Sequence, residues 1–197
     1  MSRVDMKKDH QFHPTFWQTL FPIKLDEHIR LLPLRASDAE QFLLFVKRDR
    51  AYLEEFDPYL KPIRTLQDAR KMLGELEELC EQDRSLTCGI WDDDTLVGFV
   101  NAGIRPDQTL KLGYGLAADH QGRGIVTRAC RVLIDYAFRQ LNLKYAWLTS
   151  WKTNASSIAV AERLGFVADA NLLPADPAQG TMTERYLYRL PNPNAKD

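Results

Sequence analysis

The chain has 197 residues, of which 45% are hydrophobic and 27% are charged, and its formal net charge at pH 7 is −1. That length suits a single domain with one well-buried core and is short for two. The near-zero charge gives no long-range attraction to nucleic acid or to an anionic membrane, so any phosphate site must depend on local features.

Residues 1–16 are polar and lack a sustained hydrophobic period, which predicts an N-terminal extension, either a mobile arm or a segment that contacts a partner. The two histidines in it, His10 and His13, have no third candidate ligand nearby, so we expect no metal there. Residues 17–190 are expected to form the domain, and residues 191–197 a C-terminal tail.

Two hairpins and two helices are predicted in the first half of the domain. The helices are expected to begin near residue 37 and at Thr65, where favourable N-cap residues precede apolar stripes. The hairpins are expected where pairs of apolar, strand-like runs flank short polar turns. These pairs are 21–25 with 29–34, and 86–91 with 96–102.

The segment between Arg50 and Thr65 is aromatic and acidic together and contains two prolines. Loops of this composition often line a pocket, and Tyr52, Phe56 and Tyr59 would provide its aromatic surface here. A connection between two helices, with its aromatic rings packed on the core, explains the composition equally well. The residues alone leave both interpretations open.

A Gly-rich turn joins a strand to a helix in the middle of the chain. Residues 110–116 alternate as a strand does, and the apolar stripe of an amphipathic helix begins at Ile125. The first N–H groups of such a helix have no partner within it and carry the positive end of the helix dipole. Because Gly122 and Gly124 lack Cβ atoms, a bulky anion can approach those groups. The turn indicates phosphate binding, although glycines are also common in such turns for geometry alone.

The second half of the domain continues with a strand, a short helix and two further strands. Residues 145–151 are predicted to be a strand, and Asn154 is a favourable N-cap for the helix that follows. Residues 167–170 and 182–190 are expected to be strands, joined by a proline-containing loop over 171–180.

This order of strand, Gly-rich turn, helix, strand and Asn-capped helix resembles the GCN5-related N-acetyltransferase (GNAT) superfamily. Residues 121–125 are similar to its acetyl-CoA pyrophosphate motif, and residues 154–166 to its second conserved block. Val126 replaces the usual Gly or Ala, as is familiar from ribosomal-protein N-terminal acetyltransferases of the RimJ/RimL type. Over residues 20–190 the resemblance implies one α/β (α+β) domain, with helices on both faces of a mixed, mostly antiparallel sheet of about seven strands.

Acetyl-CoA is the cofactor that this resemblance implies. Its pyrophosphate would lie on the 121–126 turn, and its pantetheine arm would pair with main-chain groups that precede the turn. The start of the helix after the next strand would contact it from the other side. The implied cofactor-binding residues are Leu116, Ala118, Gln121, Gly122, Arg123, Gly124, Ile125, Val126, Asn154 and Ser157.

The catalytic residues depart from the commonest pattern of the superfamily. Many members have a Tyr after the conserved Asn that protonates the leaving thiolate, and here that position is Ala161. By resemblance to the RimL type, Ser157 would contact the sulfur and Asp169 would help to manage the proton of the amine. The competing interpretations are a helix-surface hydroxyl for Ser157 and a turn or exposed strand residue for Asp169.

By the same resemblance, residues 51–62 correspond to the segment that forms the acceptor side of the site. Tyr52, Phe56 and Tyr59, together with Trp151, are therefore expected to bind substrate. No strong base is evident, which favours an amine that is easily deprotonated. An α-amino group, with a pKa near 8, is about a tenth neutral at pH 7, whereas a lysine side chain costs about 3.4 kcal/mol more to deprotonate.

We therefore expect an acetyl-CoA-dependent N-acetyltransferase that acts on a protein N-terminus by direct attack of the amine on the thioester. Two alternatives stay open. One is an acetyltransferase of a small-molecule amine, such as an amino acid, an aminoacyl-nucleotide or an antibiotic. The other is a non-catalytic CoA-binding module.

The cysteines and the apolar runs indicate the cellular compartment in which the protein is expected. Cys80, Cys88 and Cys130 are odd in number and widely spaced, as is typical of reduced thiols. No apolar run approaches the ~20 residues that span a bilayer, and the first residues lack the apolar core of a signal peptide. We expect a cytoplasmic protein that acts on a protein N-terminus or a small amine. A homodimer is compatible with the sequence, and we expect no direct binding to nucleic acid and no binding to a membrane.

Overall fold

A computed structural model describes residues 21–169 and 185–195 of the chain. The predicted N-terminal extension and the loop over 171–180 lie outside the described residues. The domain boundaries therefore stay predictions, although the last strand reaches Pro191, one residue into the predicted tail.

One mixed and mostly antiparallel sheet runs through the described residues, which confirms the predicted fold class. Its eight strands are β1 (Ile23–Lys24), β2 (Ile29–Pro33), β3 (Ser85–Asp92), β4 (Thr95–Ile104), β5 (Thr109–Leu116), β6 (Tyr145–Trp151), β7 (Val167–Asp169) and β8 (Arg185–Pro191). Their spatial order is β1-β2-β3-β4-β5-β6-β8-β7. The β5–β6 pair is parallel and the other six pairs are antiparallel.

Helices cover both faces of this sheet. They are α1 (Ala39–Arg48), α2 (Arg50–Phe56), α3 (Leu66–Glu81), α4 (Ile125–Gln140) and α5 (Ala155–Arg163). Phe99 of β4 packs against Phe42 of α1, whereas Tyr114 of β5, which is paired with the neighbouring Val100, hydrogen-bonds to Ser157 of α5. Consecutive strand residues face opposite sides of a sheet, so α1 and α5 lie on opposite faces.

The centre of the core lies in β3 and β4. Their residues 85–91 and 96–100 are buried without the alternation of a half-exposed strand. Unbroken burial of this kind arises where both faces of a strand are covered. Of the helices that the structure describes, none has the length and apolar character needed to cross a membrane.

The segment at 51–62 begins with a helix, where the sequence predicted a loop. Arg50 pairs with Glu54 one turn later, an arrangement that stabilises a short helix. The helix ends because Pro58 follows Asp57, which is extended at φ −125° and ψ 92°. A 3₁₀ turn then carries the chain on, so the aromatic residues of the segment are held by regular structure.

Candidate active site

The strands β5 and β6 separate along their length. They are paired only over residues 109–111 and 145–147. Beyond these, β5 continues to Leu116 and β6 to Trp151 without further pairing between them. Because β5 remains paired with β4 up to Leu116, alternate main-chain groups on its other edge are directed into the gap.

A cleft of about 360 Å³ occupies this gap and is partly open to solvent. Residues 111–116 of β5 line one side and residues 148–151 of β6 line the other. The Gly-rich turn and α2 with the following 3₁₀ turn also contribute lining residues. The two regions that the sequence singled out, the turn and the aromatic segment, therefore share one cleft.

The Gly-rich turn has the geometry of an anion cradle. Gly122 and Gly124 have φ of +75° and +68°, and a Cβ atom added at either would meet nothing within 4 Å. Gly124 is the N-cap of α4, so the first N–H groups of that helix lack an intrahelical acceptor beside open space. These features fit the pyrophosphate of acetyl-CoA. Five predicted cofactor residues of the turn line the cleft: Gln121, Gly122, Gly124, Ile125 and Val126.

Arg123 and Ala118 are not among the described residues that line the cleft. The Arg123 guanidinium donates to Asp92 at 3.3 Å, and Asp92 also lies 3.1 Å from Nε2 of His120. The Ala118 N–H donates to Asp49 at 3.5 Å. Arg123 thus ties the turn to the end of β3, and contacts of Arg123 and Ala118 with the cofactor stay predictions.

One group of side chains outside the cleft has donor atoms close enough to hold a metal ion. His28, Asp92 and Asp93 place one such atom each within 4.8 Å of the others. His28 is 3.2 Å from Asp93, and both are exposed. Asp92 already accepts from Arg123, so these contacts explain the cluster without an ion.

The start of α5 brings two hydroxyl groups together in the cleft. Asn154 caps the helix, accepting the Ser157 N–H at 2.9 Å, and Ser157 Oγ lies 3.0 Å from the Tyr114 hydroxyl. Burial raises the pKa of Tyr114, which keeps its hydroxyl protonated and able to donate. All three residues line the cleft, whereas Ala161 is fully buried. Sequence reasoning missed Tyr114, because its strand position indicates a face of the sheet but not a partner on α5.

Part of the cleft lining is aromatic and consists of Tyr52, Phe56, Tyr59 and Trp151, which we call the aromatic wall. The rings of Tyr52 and Phe56 meet edge to face at 5.6 Å, and the Trp151 indole N–H donates to the Phe56 carbonyl at 2.9 Å. The Arg185 guanidinium lies 3.9 Å from the Trp151 ring centroid. The segment lines the cleft, and Tyr52 also packs against the core, so the structure agrees with both interpretations of the 51–62 segment.

Two carboxylates are candidates to accept a proton from an amine. Asp169 lies on β7, 3.8 Å from Arg189, and is not among the described lining residues. Asp57 does line the cleft, and burial raises the pKa of its carboxyl. Sequence reasoning gave Asp57 no role, because which acidic residue of the 51–62 segment faces the cleft depends on how α2 is rotated.

A cleft that combines an anion cradle, a pair of hydroxyl groups and an aromatic wall suits a transferase whose donor carries phosphate. The comparisons with known proteins agree. The Acetyltransferase (GNAT) domain family matches residues 28–167. The chain belongs to this family.

Three relatives illustrate the similarity. "Probable N-acetyltransferase YjcK" of Bacillus subtilis (strain 168) is 35% identical over 148 residues, 70% of this chain and 80% of the relative. The ribosomal-protein-serine acetyltransferase of Escherichia coli (strain K12) is 24% identical over 84% of this chain and 94% of the relative. The structure of RimL, a ribosomal L7/L12 alpha-N-protein acetyltransferase, in complex with coenzyme A has a TM-score of 0.78 at 19% identity, covering 86% of this chain and 97% of that one.

The chain is thus an N-acetyltransferase that uses acetyl-CoA, as predicted. The RimJ/RimL-like character expected from the turn is also confirmed. The roles of individual cleft residues stay predictions.

Gly124→Asp tests the placement of the pyrophosphate, with Gly124→Asn as the matched control. Asp and Asn both tolerate positive φ better than other side chains, so the two variants should lose similar stability. The Asp carboxylate adds a negative charge beside the bound phosphate, so we expect its Kd for CoA to be at least about tenfold weaker than that of the Asn variant. Isothermal titration measures the difference, and equal affinities would refute this placement.

Proposed function

We propose that the protein transfers the acetyl group of acetyl-CoA to the N-terminal α-amine of a protein, of the ribosomal-protein type. The observation that carries this proposal is that the cleft is partly open to solvent and that Tyr59, one of its lining residues, is 52% exposed. An open trough admits an amine that continues into a polypeptide, whereas a sealed pocket would not. The names of the E. coli relative and of RimL support the same class of acceptor.

In this proposal the donor is held by main-chain groups more than by side chains. The first N–H groups of α4 bind the pyrophosphate, and the free edge of β5 over 112–116 pairs with the amide-containing arm. Bound acetyl-CoA supplies an activated acetyl group, and the gap between β5 and β6 directs it towards Ser157.

Ser157 and Tyr114 stabilise the charge that develops on the leaving sulfur. Ser157 Oγ donates towards the sulfur, and the Tyr114 hydroxyl donates to Ser157, whose Oγ and carbonyl oxygen lie 3.0 Å and 3.2 Å from it. Because burial raises its pKa, Tyr114 acts as a hydrogen-bond donor and does not become a tyrosinate. Such hydrogen bonds strengthen as negative charge develops, so they lower the barrier more than they tighten ground-state binding.

The acceptor class is tested by a thiol-release assay with acetyl-CoA. The panel contains peptides that begin with Ser, Thr or Ala and a set of small amines, including an amino acid and a polyamine. We expect turnover on the peptides. Turnover confined to small amines would contradict the protein acceptor, and CoA binding without turnover on any amine would indicate a non-catalytic module.

Ser157→Ala should lower kcat by roughly 10–100-fold, because one donor to the developing charge is lost. The Kd for CoA should change by less than about twofold, since this interaction matters mainly as charge develops. Tyr114→Phe should cause part of the same loss. We expect the double variant to be no worse than Ser157→Ala alone, because the two hydroxyls act as one chain. Additive losses would contradict that arrangement.

Tyr59→Ala should raise the KM for the acceptor by about 5–10-fold and leave kcat nearly unchanged, as expected when uniform binding is lost. Leu44→Ala is the control, because Leu44 is also exposed but lies on α1 and does not line the cleft. Steady-state kinetics at saturating acetyl-CoA separate the two constants. A loss in kcat with an unchanged KM would argue against an acceptor-binding role for the aromatic wall.

A further inference from the structure

One acidic side chain faces the cleft at its acceptor end. Among the described residues that line the cleft, Asp57 alone carries a carboxylate. Its Oδ1 accepts the Tyr59 N–H at 3.0 Å, and its Oδ2 accepts no hydrogen bond from the part of the chain that the structure describes. This hydrogen bond fixes the carboxylate on the wall.

We propose that Asp57 binds the ammonium form of the acceptor and takes up the proton that the amine loses before it attacks the acetyl group. This inference rests on the proposed function and names a residue that performs it. An ammonium group that enters a cleft gives up much of its hydration and needs an anion in return. Asp57 supplies that anion beside Trp151 and in the same cleft as Ser157.

The surroundings of Asp57 also suit proton uptake. Burial is the largest influence on its carboxyl and raises the pKa, while the Tyr59 N–H and the charges of Arg185 on β8 and Lys111 on β5 oppose that rise. The net effect is a raised pKa, which makes Asp57 a stronger base than an exposed carboxylate. In its ionised form Asp57 can both attract an ammonium group and accept its proton.

Asp169, the carboxylate favoured by the sequence resemblance, has a different setting. It lies on β7, with its carboxylate 3.8 Å from the Arg189 guanidinium. Asp169 is not among the described lining residues, whereas Asp57 and Ser157 both are. The geometry therefore favours Asp57 for contact with the amine.

The ammonium group loses one proton to Asp57, which returns it to solvent through the open cleft. The freed nitrogen lone pair forms a bond to the acetyl carbon, and the carbon–sulfur bond breaks with its electrons on sulfur. A second proton from nitrogen ends on the sulfur, so the products are an amide, a thiol and one released proton.

Asp57→Asn is the test variant. The Asn side chain can also accept the Tyr59 N–H and cap the 3₁₀ turn. The substitution therefore removes the charge and preserves the local structure of the aromatic wall. Glu55→Gln is the matched control, since it removes the same charge from an exposed position on α2. Asp169→Asn tests the other carboxylate. For each protein we would measure kcat/KM on a Ser-starting peptide between pH 7 and pH 9, and the Kd for CoA.

At pH 7 only about a tenth of a free α-amine is neutral. The Asp57→Asn variant can use only this neutral fraction, so its kcat/KM should be roughly tenfold lower than that of the wild type. At pH 9 about nine-tenths is neutral, and the variant should come within about twofold of the wild type. Glu55→Gln should behave as the wild type, and CoA affinity should be unchanged in both variants.

Three outcomes would overturn the inference: wild-type kinetics for Asp57→Asn at pH 7, a loss of the same size at every pH, or the full pH-dependent loss in Asp169→Asn. Failure of the proposed function looks different, because there the wild type itself would acetylate no peptide in the panel.

Discussion

The separation of β5 from β6 is the constraint on which the rest of the site depends. The two strands are parallel neighbours, so the chain must leave the end of β5 and cross over through α4 before it returns as β6. That crossover places the start of α4 at the mouth of the gap, and the start of α5 follows the end of β6. Both helix N-termini therefore meet at the carboxyl ends of two adjacent parallel strands, where α/β folds commonly bind ligands.

The cleft contains charges of both signs. The chain as a whole is nearly neutral, so attraction of an anion depends on local groups at the start of α4. Arg123 contributes little free charge there because it is paired with Asp92. Among the described residues that line the cleft, Asp57 provides the negative charge, whereas Lys111, Arg163 and Arg185 are cationic. Under the proposed function, Asp57 is therefore the group that would bind an ammonium-bearing acceptor.

Local signals in the sequence predicted most of the fold and the backbone geometry of the Gly-rich turn. The strand alternation before the turn, the glycines at 122 and 124 and the Asn154 cap each act over a few residues, and each agrees with the structure. The acceptor end was harder to predict. Its features depend on the rotation of α2 and on the Tyr114–Ser157 contact, which joins residues 43 positions apart and leaves no mark in any local period.

The most direct test of the central claim, that acetyl-CoA is held in the gap between β5 and β6, is amide hydrogen exchange measured by mass spectrometry with and without CoA. We expect saturating CoA to slow exchange in peptides that cover residues 112–116 and 122–127, because those N–H groups would acquire acceptors. Exchange in α3, which does not line the cleft, should be unchanged. Bound CoA that left both peptides unprotected would contradict the claim.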